Sequence, residues 1–350
     1  MSGVTLITGG AGFIGTNTAD RLLRGGRRVR VLDDLSRAGV ERNLEWLERT
    51  HGNLLEVEIG DVGDHGIASR AVRGASAIYH FAAQVAVTTS FDDPLGDVAT
   101  NLHGTLAMLE AARLHAPDAT FVFTSTNKVY GGLEDIALAR VGERYQPADA
   151  ALHTGISERR PLAFCTPYGC SKGAADQYVA DYAHSFGLAT VTFRMSCIYG
   201  PHQFGTEDQG WVAHFLKRAI AGQPITIFGD GCQVRDVLYV GDLVDALLIA
   251  GSRGRELAGR AFNMGGGPDN ARSLREVVAM IATLRSAAPD ISYDDWRPGD
   301  QRYYVSDTAS FAAATGWIPT VSPADGMTRL HDWLIADRDA RRDPERQVAA

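Results

Sequence analysis

A glycine loop near the start of the chain joins an apolar segment to an amphipathic one. Residues 3–8 are apolar or β-branched and predict a buried strand, and residues 13–24 predict a helix. The loop between them carries Gly9, Gly12 and Gly15. In such a unit the first glycine permits a tight turn, the second lets a ligand approach the backbone, and the third allows close helix packing. Because N–H groups at a helix start attract anions, the loop predicts a site for the pyrophosphate of a dinucleotide.

Similar apolar segments recur through the first half of the chain, separated by stretches typical of helices. Further strands are predicted at 28–33, 54–59, 77–81, 120–124 and 189–193, and long helices at 98–115 and 170–186. Nearly continuous apolar strands that alternate with helices indicate a parallel sheet covered on both faces. We therefore predict an α/β protein with a Rossmann-like, doubly wound parallel sheet and a smaller C-terminal substrate-binding region.

The strand–helix alternation loosens after the sixth predicted strand, where loops rich in Gly, Gln, Asp and Arg alternate with short helices. Such loops are typical of a region that binds substrate over the carboxyl ends of the sheet strands. We expect a dinucleotide-binding domain at 1–194 with 237–262 returning to it, a substrate-binding region at 195–236 and 263–338, and a frayed tail at 339–350.

Composition excludes several classes of function. The formal net charge of the 350-residue chain is −8, which disfavours nucleic acid as a partner. No apolar run approaches the ~20 residues that span a membrane, and no basic segment precedes an apolar one at the N-terminus. The four cysteines form no CxxC pair and no cluster with metal spacing. We expect a cytoplasmic protein with free thiols, no metal and no membrane partner.

The residue that ends the second predicted strand favours one cofactor. Asp33 lies 18 residues after Gly15, where a carboxylate binds the ribose hydroxyls and repels a 2′-phosphate. This favours NAD, although Arg37 nearby could neutralise such a phosphate and leaves NADP open. Expected cofactor contacts are Gly9, Gly12, Phe13, Ile14, Gly15, Asp33, Asp34, Ser36, Arg37, Asp61, Val62, Ala82, Ala83, Gln84, Asn101, Tyr168 and Lys172.

Tyr168 and Lys172 are four residues apart, so both side chains lie on one face of a helix. With the glycine loop and Thr126, this pair resembles the extended short-chain dehydrogenase/reductase family, in the branch acting on nucleotide sugars. The resemblance covers about residues 3–335 and implies that Thr126, Tyr168 and Lys172 are catalytic. A phenol with a pKa near ~10 is a weak base at neutral pH. We expect Lys172 and the nicotinamide to lower the pKa of Tyr168, which then takes a proton from a sugar hydroxyl.

The residues after Thr126 bear on the type of reaction. Dehydratases of this branch carry a carboxylate there, whereas this chain has Asn127 and Lys128. Loss of that acid/base group disfavours elimination of water and favours an epimerase, which needs only hydride removal and return. A UDP-sugar 4-epimerase and a non-catalytic NAD-binding module of the same fold remain alternatives.

Within the family, the closest resemblance is to CDP-linked sugar 2-epimerases. It lies in segments 34–37, 43–47, 84–90, 125–131, 167–178, 208–212 and 233–238. The resemblance implies inversion at sugar C2 through a 2-keto intermediate, with tightly held NAD. Two segments depart from the family pattern. The loop 152–166 lacks an expected Tyr-Asp pair, and Met195-Ser196-Cys197 stands where a histidine is more usual. The resemblance implies that both segments face the sugar.

The resemblance also implies partners. A nucleoside-diphosphate sugar is the expected substrate, with contacts from Gln84, Thr88, Asn127, Gln209, Arg235 and Arg302. Arg235 and Arg302 are expected to face the diphosphate, because guanidinium groups match phosphate oxygens. Enzymes of this fold commonly pair two helices from each subunit, so we expect a homodimer through 98–115 and 170–186.

Overall fold

The computed structural model describes residues 3–342 and is built on one large parallel sheet. The strands are β1 (Val4–Thr8), β2 (Val29–Asp33), β3 (Leu55–Ile59), β4 (Ala75–His80), β5 (Thr120–Thr126), β6 (Leu138–Val141), β7 (Arg144–Pro147), β8 (Ala189–Met195), β9 (Cys197–Tyr199), β10 (Ile225–Phe228), β11 (Val234–Tyr239), β12 (Arg260–Met264), β13 (Ala271–Ser273), β14 (Ile291–Asp294) and β15 (Tyr303–Tyr304). The helices are α1 (Phe13–Arg24), α2 (Val40–His51), α3 (His65–Ala71), α4 (Val87–Asp92), α5 (Pro94–Val98), α6 (Gly104–His115), α7 (Thr166–Phe186), α8 (Trp211–Ile220), α9 (Val240–Ser252), α10 (Leu274–Arg285), α11 (Ala309–Thr315) and α12 (Pro323–Arg342).

The large sheet has the strand order β12-β8-β5-β4-β1-β2-β3, and all its pairs are parallel. Successive side chains of a strand point to opposite faces, so both faces of each central strand need an apolar cover. In β1, Ile7 packs into a core with residues of α1, α2 and α9, and Leu6 packs into a second core with residues of α3, α6 and α7. The predicted doubly wound α/β fold is therefore confirmed.

Strand order reverses direction between β1 and β4, since β2 and β3 lie on one side of β1 and β4, β5 and β8 on the other. A crevice opens at the carboxyl ends of the strands at such a point, and it is where open α/β sheets bind ligands. The fold thus directs the glycine loop after β1 and the residues that end β2, β4 and β5 toward one place.

A second, smaller group of strands and helices follows β8. Here β11 pairs with β13, β15 and β9, and β10 pairs with β14. Helices α8, α10 and α12 bury a separate apolar core against these strands, with Leu216, Ile227, Ile281 and Leu330 at its centre. This group supplies the opposite wall of the crevice.

The predicted elements agree with the observed ones to within a few residues. The six predicted strands of the large sheet are β1, β2, β3, β4, β5 and β8. The helix predicted at 170–186 begins earlier, at Thr166, and a π-helical turn (Ala99–His103) leads into α6. Within the predicted returning segment, α9 and β12 lie on the large sheet, whereas β11 belongs to the small one. The division into two domains stays a prediction.

At the C-terminal end, α12 continues as far as Arg342. Residues 339–342 belong to this helix, and the fraying predicted from residue 339 stays a prediction. Residues 343–350 of the predicted tail lie outside the described residues.

Candidate active site

One cavity of about 930 Å³ occupies the crevice between the large sheet and the smaller group of strands. This volume is near the upper end of the range for ligand pockets, about 300–1,000 Å³. The cavity wall runs from the glycine loop, past Tyr168 and Lys172, to Phe228 and Leu274. A single long cavity can therefore hold a dinucleotide and a second ligand in contact with each other.

The glycine loop forms one end of this cavity, and its glycines are needed for steric reasons. Gly9 has a φ of +65°, and a Cβ added there would lie 2.7 Å from the backbone nitrogen of Ala82. A Cβ added at Gly15 would lie 2.2 Å from the carbonyl oxygen of Gly9. Both distances are far below van der Waals contact, so only glycine permits this turn and this approach of α1 to β1.

The first turn of α1 fits a pyrophosphate. Gly12 is the N-cap residue, so no side chain caps the helix, and the first turn carries no acidic residue. The N–H groups of the first helical turn have no partner within the helix and favour an anion. Gly12, Phe13, Ile14 and Gly15 all line the cavity.

Asp33, at the end of β2, braces the same loop. Its carboxylate accepts hydrogen bonds from the backbone nitrogens of Ala11 and Leu35, each at 3.0 Å, and burial raises its pKa. Asp33 also lines the cavity, as an acceptor for ribose hydroxyls must. Arg37, which left NADP open, donates a hydrogen bond to Gln209 on the opposite wall.

The proposed catalytic side chains meet in the middle of the cavity. Thr126 ends β5, and Tyr168 and Lys172 lie in the first turns of α7. All three line the cavity, and each is less than a tenth exposed. The Lys172 ammonium lies 4.1 Å from the centre of the Phe123 ring, and the Tyr168 backbone nitrogen donates to Ser90 Oγ. The first contact holds α7 against β5, and the second holds its first turn against α4.

Burial controls the ionisation of these groups in the protein alone. It raises the pKa of Tyr168 to about 12, opposed in part by the Thr126 hydroxyl, and it lowers the pKa of Lys172 to about 7. In the protein without ligand, desolvation of the phenolate is the largest effect on the pKa of Tyr168. The lowering expected from Lys172 and the nicotinamide together stays a prediction for the NAD-bound protein.

Two of the predicted site residues do not line the cavity, whereas all the others do. Asn101 is fully buried beneath α7, where its amide nitrogen donates to Asp97 and Ser171, each at 3.1 Å. Arg302 is exposed and stacks on Trp296, with 5.2 Å between the guanidinium carbon and the ring centre. Any role of Asn101 toward a ligand is therefore indirect, and Arg302 is not placed to face a diphosphate within the cavity.

A different arginine from the same loop lines the cavity. The Arg297 guanidinium carbon lies 3.8 Å from the centre of the Phe228 ring, and its Nη1 donates to the carbonyl oxygen of Glu207 at 2.9 Å. Arg235 also lines the cavity, where it pairs with Asp300 at 2.6 Å. Sequence reasoning missed Arg297, although it opens the segment Arg297-Pro298-Gly299-Asp300-Gln301 that directly precedes Arg302.

The other predicted substrate contacts differ in how free their polar groups are. Thr88 Oγ1 is buried and has no hydrogen-bond partner among residues 3–342, so it is available to a ligand. Gln84 instead bonds within its own loop and to Asp97 at 3.0 Å. Asn127 Nδ2 donates to Gln301 at 3.3 Å.

The two segments that depart from the family pattern have different positions. Met195, Ser196 and Cys197 line the cavity, and Cys197 Sγ accepts a hydrogen bond from the Trp211 indole at 3.2 Å. No residue of 152–166 lines it. That loop packs instead on the segment after β15, through a bridge between Ile156 and Ser306. Of the two segments expected to face the sugar, only Met195-Ser196-Cys197 lies in the cavity wall.

Residues 5–265 match the NAD dependent epimerase/dehydratase family. The chain belongs to this family. The glycine loop, the uncapped start of α1 and Asp33 are accordingly the parts of the chain suited to hold NAD, which supplies a hydride acceptor when bound.

Members of the family with different activities resemble the chain over nearly its whole length. CDP-paratose 2-epimerase of Salmonella typhi is 41% identical over 94% of this chain and 98% of its own. A dTDP-glucose 4,6-dehydratase of Xanthomonas campestris pv. campestris is 32% identical over 95% of this chain and 93% of its own. The crystal structure of a Thermus thermophilus UDP-glucose 4-epimerase with NAD has a TM-score of 0.78 and 31% identity, covering 95% of this chain and 99% of that one. Epimerases and dehydratases thus share this fold, and the details of the site must separate them.

No helix within residues 3–342 combines the length and the apolar character that a membrane crossing requires.

Proposed function

We propose that the protein is an NAD-dependent nucleotide-sugar 2-epimerase that inverts C2 of a CDP-linked hexose. Hydride leaves C2 for the bound cofactor, and the resulting 2-keto sugar turns its other face toward the cofactor. The same hydride then returns to C2, so that no net oxidation occurs. The 41% identity to a CDP-paratose 2-epimerase supports this substrate class.

The observation that carries the proposal is the absence of a free carboxylate beside Tyr168. Within residues 3–342, the acidic residues that line the cavity are Asp33, Asp34, Asp61, Glu207, Asp208 and Asp300. The first three lie at the cofactor end, Glu207 and Asp208 pair with Arg297, and Asp300 pairs with Arg235. Elimination of water needs an additional acid/base group at the sugar. The neighbours of Thr126 are instead Asn127 and Lys128, which favours an epimerase over a dehydratase.

Tyr168 is the group that exchanges a proton with the sugar hydroxyl. Its high pKa in the protein alone means that it becomes an effective base only when positive charge is brought close. Bound NAD supplies that charge together with the hydride acceptor. Lys172 orients the cofactor ribose, and Thr126 holds the sugar oxygen that reacts.

We assign the diphosphate to Arg235 and Arg297 rather than to Arg302. Both arginines line the cavity on the side of the small sheet, and both pair with carboxylates that a diphosphate can displace. Gln209 and Arg37 bridge the two walls beside the cofactor loop. This bridge supports a tightly held NAD.

We further propose a cytoplasmic homodimer. Helices α6 and α7 lie side by side, and Tyr182 donates a hydrogen bond to Glu110 between them at 2.8 Å. Large apolar side chains remain exposed on these two helices, including Leu114, Tyr178 and Phe186. A second copy of the same pair of helices would cover them. The four cysteines are free, as in a reducing compartment.

The reaction is tested by incubating the NAD-loaded protein with CDP-, GDP- and UDP-hexoses in D2O and following the sugar by proton NMR. Inversion at C2 with the original hydrogen retained is the expected result. Inversion at C4 would replace the proposal with a 4-epimerase, and deuterium at C2 would indicate deprotonation instead of hydride transfer.

A Tyr168→Phe variant separates an enzyme from a binding module. Loss of the phenolic proton carrier is expected to lower kcat by about 10²–10⁴-fold. The NAD content, read from the absorbance of the NAD extracted from the protein, should stay at the wild-type level. Retained epimerisation in this variant would overturn the assignment of Tyr168.

A further inference from the structure

Lys128 has no established part in the reaction, yet its side chain lies in the wall of the cavity. Its ammonium donates one hydrogen bond, to the carbonyl oxygen of Gly299 at 3.0 Å. Within residues 3–342 this is its one hydrogen-bond partner, and no carboxylate lies within 4.0 Å of it. An ammonium group has three donors, so two of them remain available to a ligand.

The position of Lys128 is fixed from two sides. Its backbone nitrogen donates to Thr126 Oγ1 at 3.2 Å, which ties it to the catalytic threonine. Gly169, the neighbour of Tyr168, lies so close that a Cβ added to that glycine would come within 3.8 Å of Lys128 Cβ. Lys128 is therefore directly beside the residues that act on the sugar.

On its other side Lys128 faces the proposed diphosphate site. Gly299, its hydrogen-bond partner, immediately precedes Asp300, which pairs with Arg235. The charges of Arg235 and Asp300 both act on the ammonium, and burial together with Arg235 lowers the pKa of Lys128 to about 8. Lys128 is partly buried and no carboxylate pairs with its ammonium directly, so an anionic ligand would offset the cost of removing this charge from water.

We propose that Lys128 binds the phosphoryl group that is attached to the sugar, and thereby presents C2 to Tyr168. This inference rests on the proposed function and names a further residue of the same site. The phosphorus atom is three covalent bonds from C2 of a nucleoside-diphosphate hexose and five bonds from C4. A cation beside the catalytic residues thus fits a sugar that reacts at C2, next to its phosphorylated carbon.

The same contact accounts for how the 2-keto sugar turns without leaving. The phosphoryl group stays on Lys128 while the ring rotates about the bonds between it and C1. The sugar can then present either face of C2 to the same catalytic residues. Asn127 lies on the same wall, where it donates to Gln301 and carries no charge. Lys128 is therefore the cation next to the catalytic Thr126.

The experiment measures nucleotide binding, and so does not depend on turnover. NAD-loaded wild-type, Lys128→Met and Lys128→Arg proteins are titrated calorimetrically with CDP and with CMP, and in parallel with UDP and UMP. CDP carries the phosphoryl group that the sugar would bear, and CMP lacks it. Methionine keeps the unbranched side chain without the charge, and arginine keeps the charge.

Lys128→Met is expected to weaken CDP binding by about 10- to 100-fold and leave CMP binding within about twofold, as for loss of one charge-assisted contact. Lys128→Arg should recover most of the CDP affinity. Unchanged CMP affinity also reports that the variant is folded. Equal loss for both nucleotides, or no loss for either, would overturn the assignment.

The NMR assay on the wild-type protein keeps the two proposals apart. If the wild-type protein inverts C2 but Lys128→Met retains its affinity for CDP relative to CMP, only the role of Lys128 is overturned. If it inverts C4 while Lys128→Met loses CDP selectively, the proposed C2 reaction fails and the phosphoryl contact stands.

Discussion

The Arg297 guanidinium lies over the face of the Phe228 ring, 3.8 Å from its centre, at the end of the cavity remote from the glycine loop. This stacking fixes the plane of the guanidinium while its other donors stay directed at Glu207 and Asp208. A diphosphate offers the same kind of acceptor as these carboxylates. The guanidinium of Arg297 is thus fixed in an orientation that suits the binding of an anion.

The first prediction compares Arg297 with Arg302. Arg297→Met is expected to weaken CDP binding by about 10- to 100-fold, because a hydrogen bond to a charged group contributes about 1.5–3 kcal/mol. Arg302→Met should change it by less than about threefold, since Arg302 stacks on Trp296 outside the cavity. Isothermal titration of the NAD-loaded variants measures both. A larger loss for Arg302→Met would restore the assignment made from the sequence.

The second prediction concerns the glycine loop. Gly15→Ala would place a Cβ 2.2 Å from the Gly9 carbonyl oxygen, so the loop must open or α1 must move. We expect a cost of about 1–3 kcal/mol in the free energy of unfolding, together with loss of most bound NAD. Thermal unfolding and the NAD content of the purified protein measure the two effects.

Gly12→Ala is the matched control for the loop. Its added Cβ would meet the Gly9 carbonyl oxygen at 3.0 Å, and the φ of −68° suits alanine. This variant should unfold close to the wild-type temperature yet bind NAD more weakly, because Gly12 lines the cavity. Wild-type NAD content in Gly15→Ala would contradict the steric argument.

Local pattern was enough to predict the large sheet, and it singled out the glycine loop and Asp33 as candidates for the cofactor end of the site. The glycine loop and Asp33 sit at the ends of adjacent strands, so strand order alone brings them together. Thr126, Tyr168 and Lys172 came from the resemblance to a family, and β5 and the start of α7 carry them to the same crevice.

The residues that sequence reasoning misplaced depend on the path of loops and on packing. Arg297 and Arg302 belong to one polar loop, and composition does not tell which one turns inward. The side chain of Tyr303, where β15 begins, is buried, and the side chain of Arg302 directly before it is exposed. Asn101 lies in a π-helical turn, whose altered spacing buries it against Asp97 and Ser171. The raised pKa of Tyr168 depends on three-dimensional burial, which no sequence motif reports.

The third prediction tests the dimer through two exposed tyrosines. Tyr178 lies on α7 and is 45% exposed, whereas Tyr293 lies on β14 in the smaller group of strands and is 56% exposed. Tyr178→Glu should shift the protein toward monomer at micromolar concentration, because it places a charge in a packed helical interface. Tyr293→Glu should leave the mass unchanged. Light scattering after size exclusion measures both, and a dimeric Tyr178→Glu would argue for another interface.

The fourth prediction concerns His80, at the end of β4. Its ring is fully buried at the end of β4, 2.7 Å from the Thr8 hydroxyl and 3.0 Å from the Thr105 hydroxyl. Burial and the nearby Lys172 lower the pKa of His80 to about 3. The folded protein therefore keeps this ring neutral at pH values where the unfolded chain, with a pKa near ~6.5, takes up a proton.

The sign of the pH dependence follows from this difference. Between about pH 6.5 and pH 3 the unfolded state binds more protons at His80, so its contribution to stability is complete above about pH 6.5 and is lost as the pH falls. The limiting slope is about 1.4 kcal/mol per pH unit for one such group.

His80→Asn, which keeps a polar atom near Thr8, should lower stability at pH 7 but reduce the slope between pH 6.5 and 5. His184→Asn, at an exposed position of α7, should keep the wild-type slope. Urea unfolding at several pH values measures the free energies, and an unchanged slope in His80→Asn would show that this histidine is not the group that titrates.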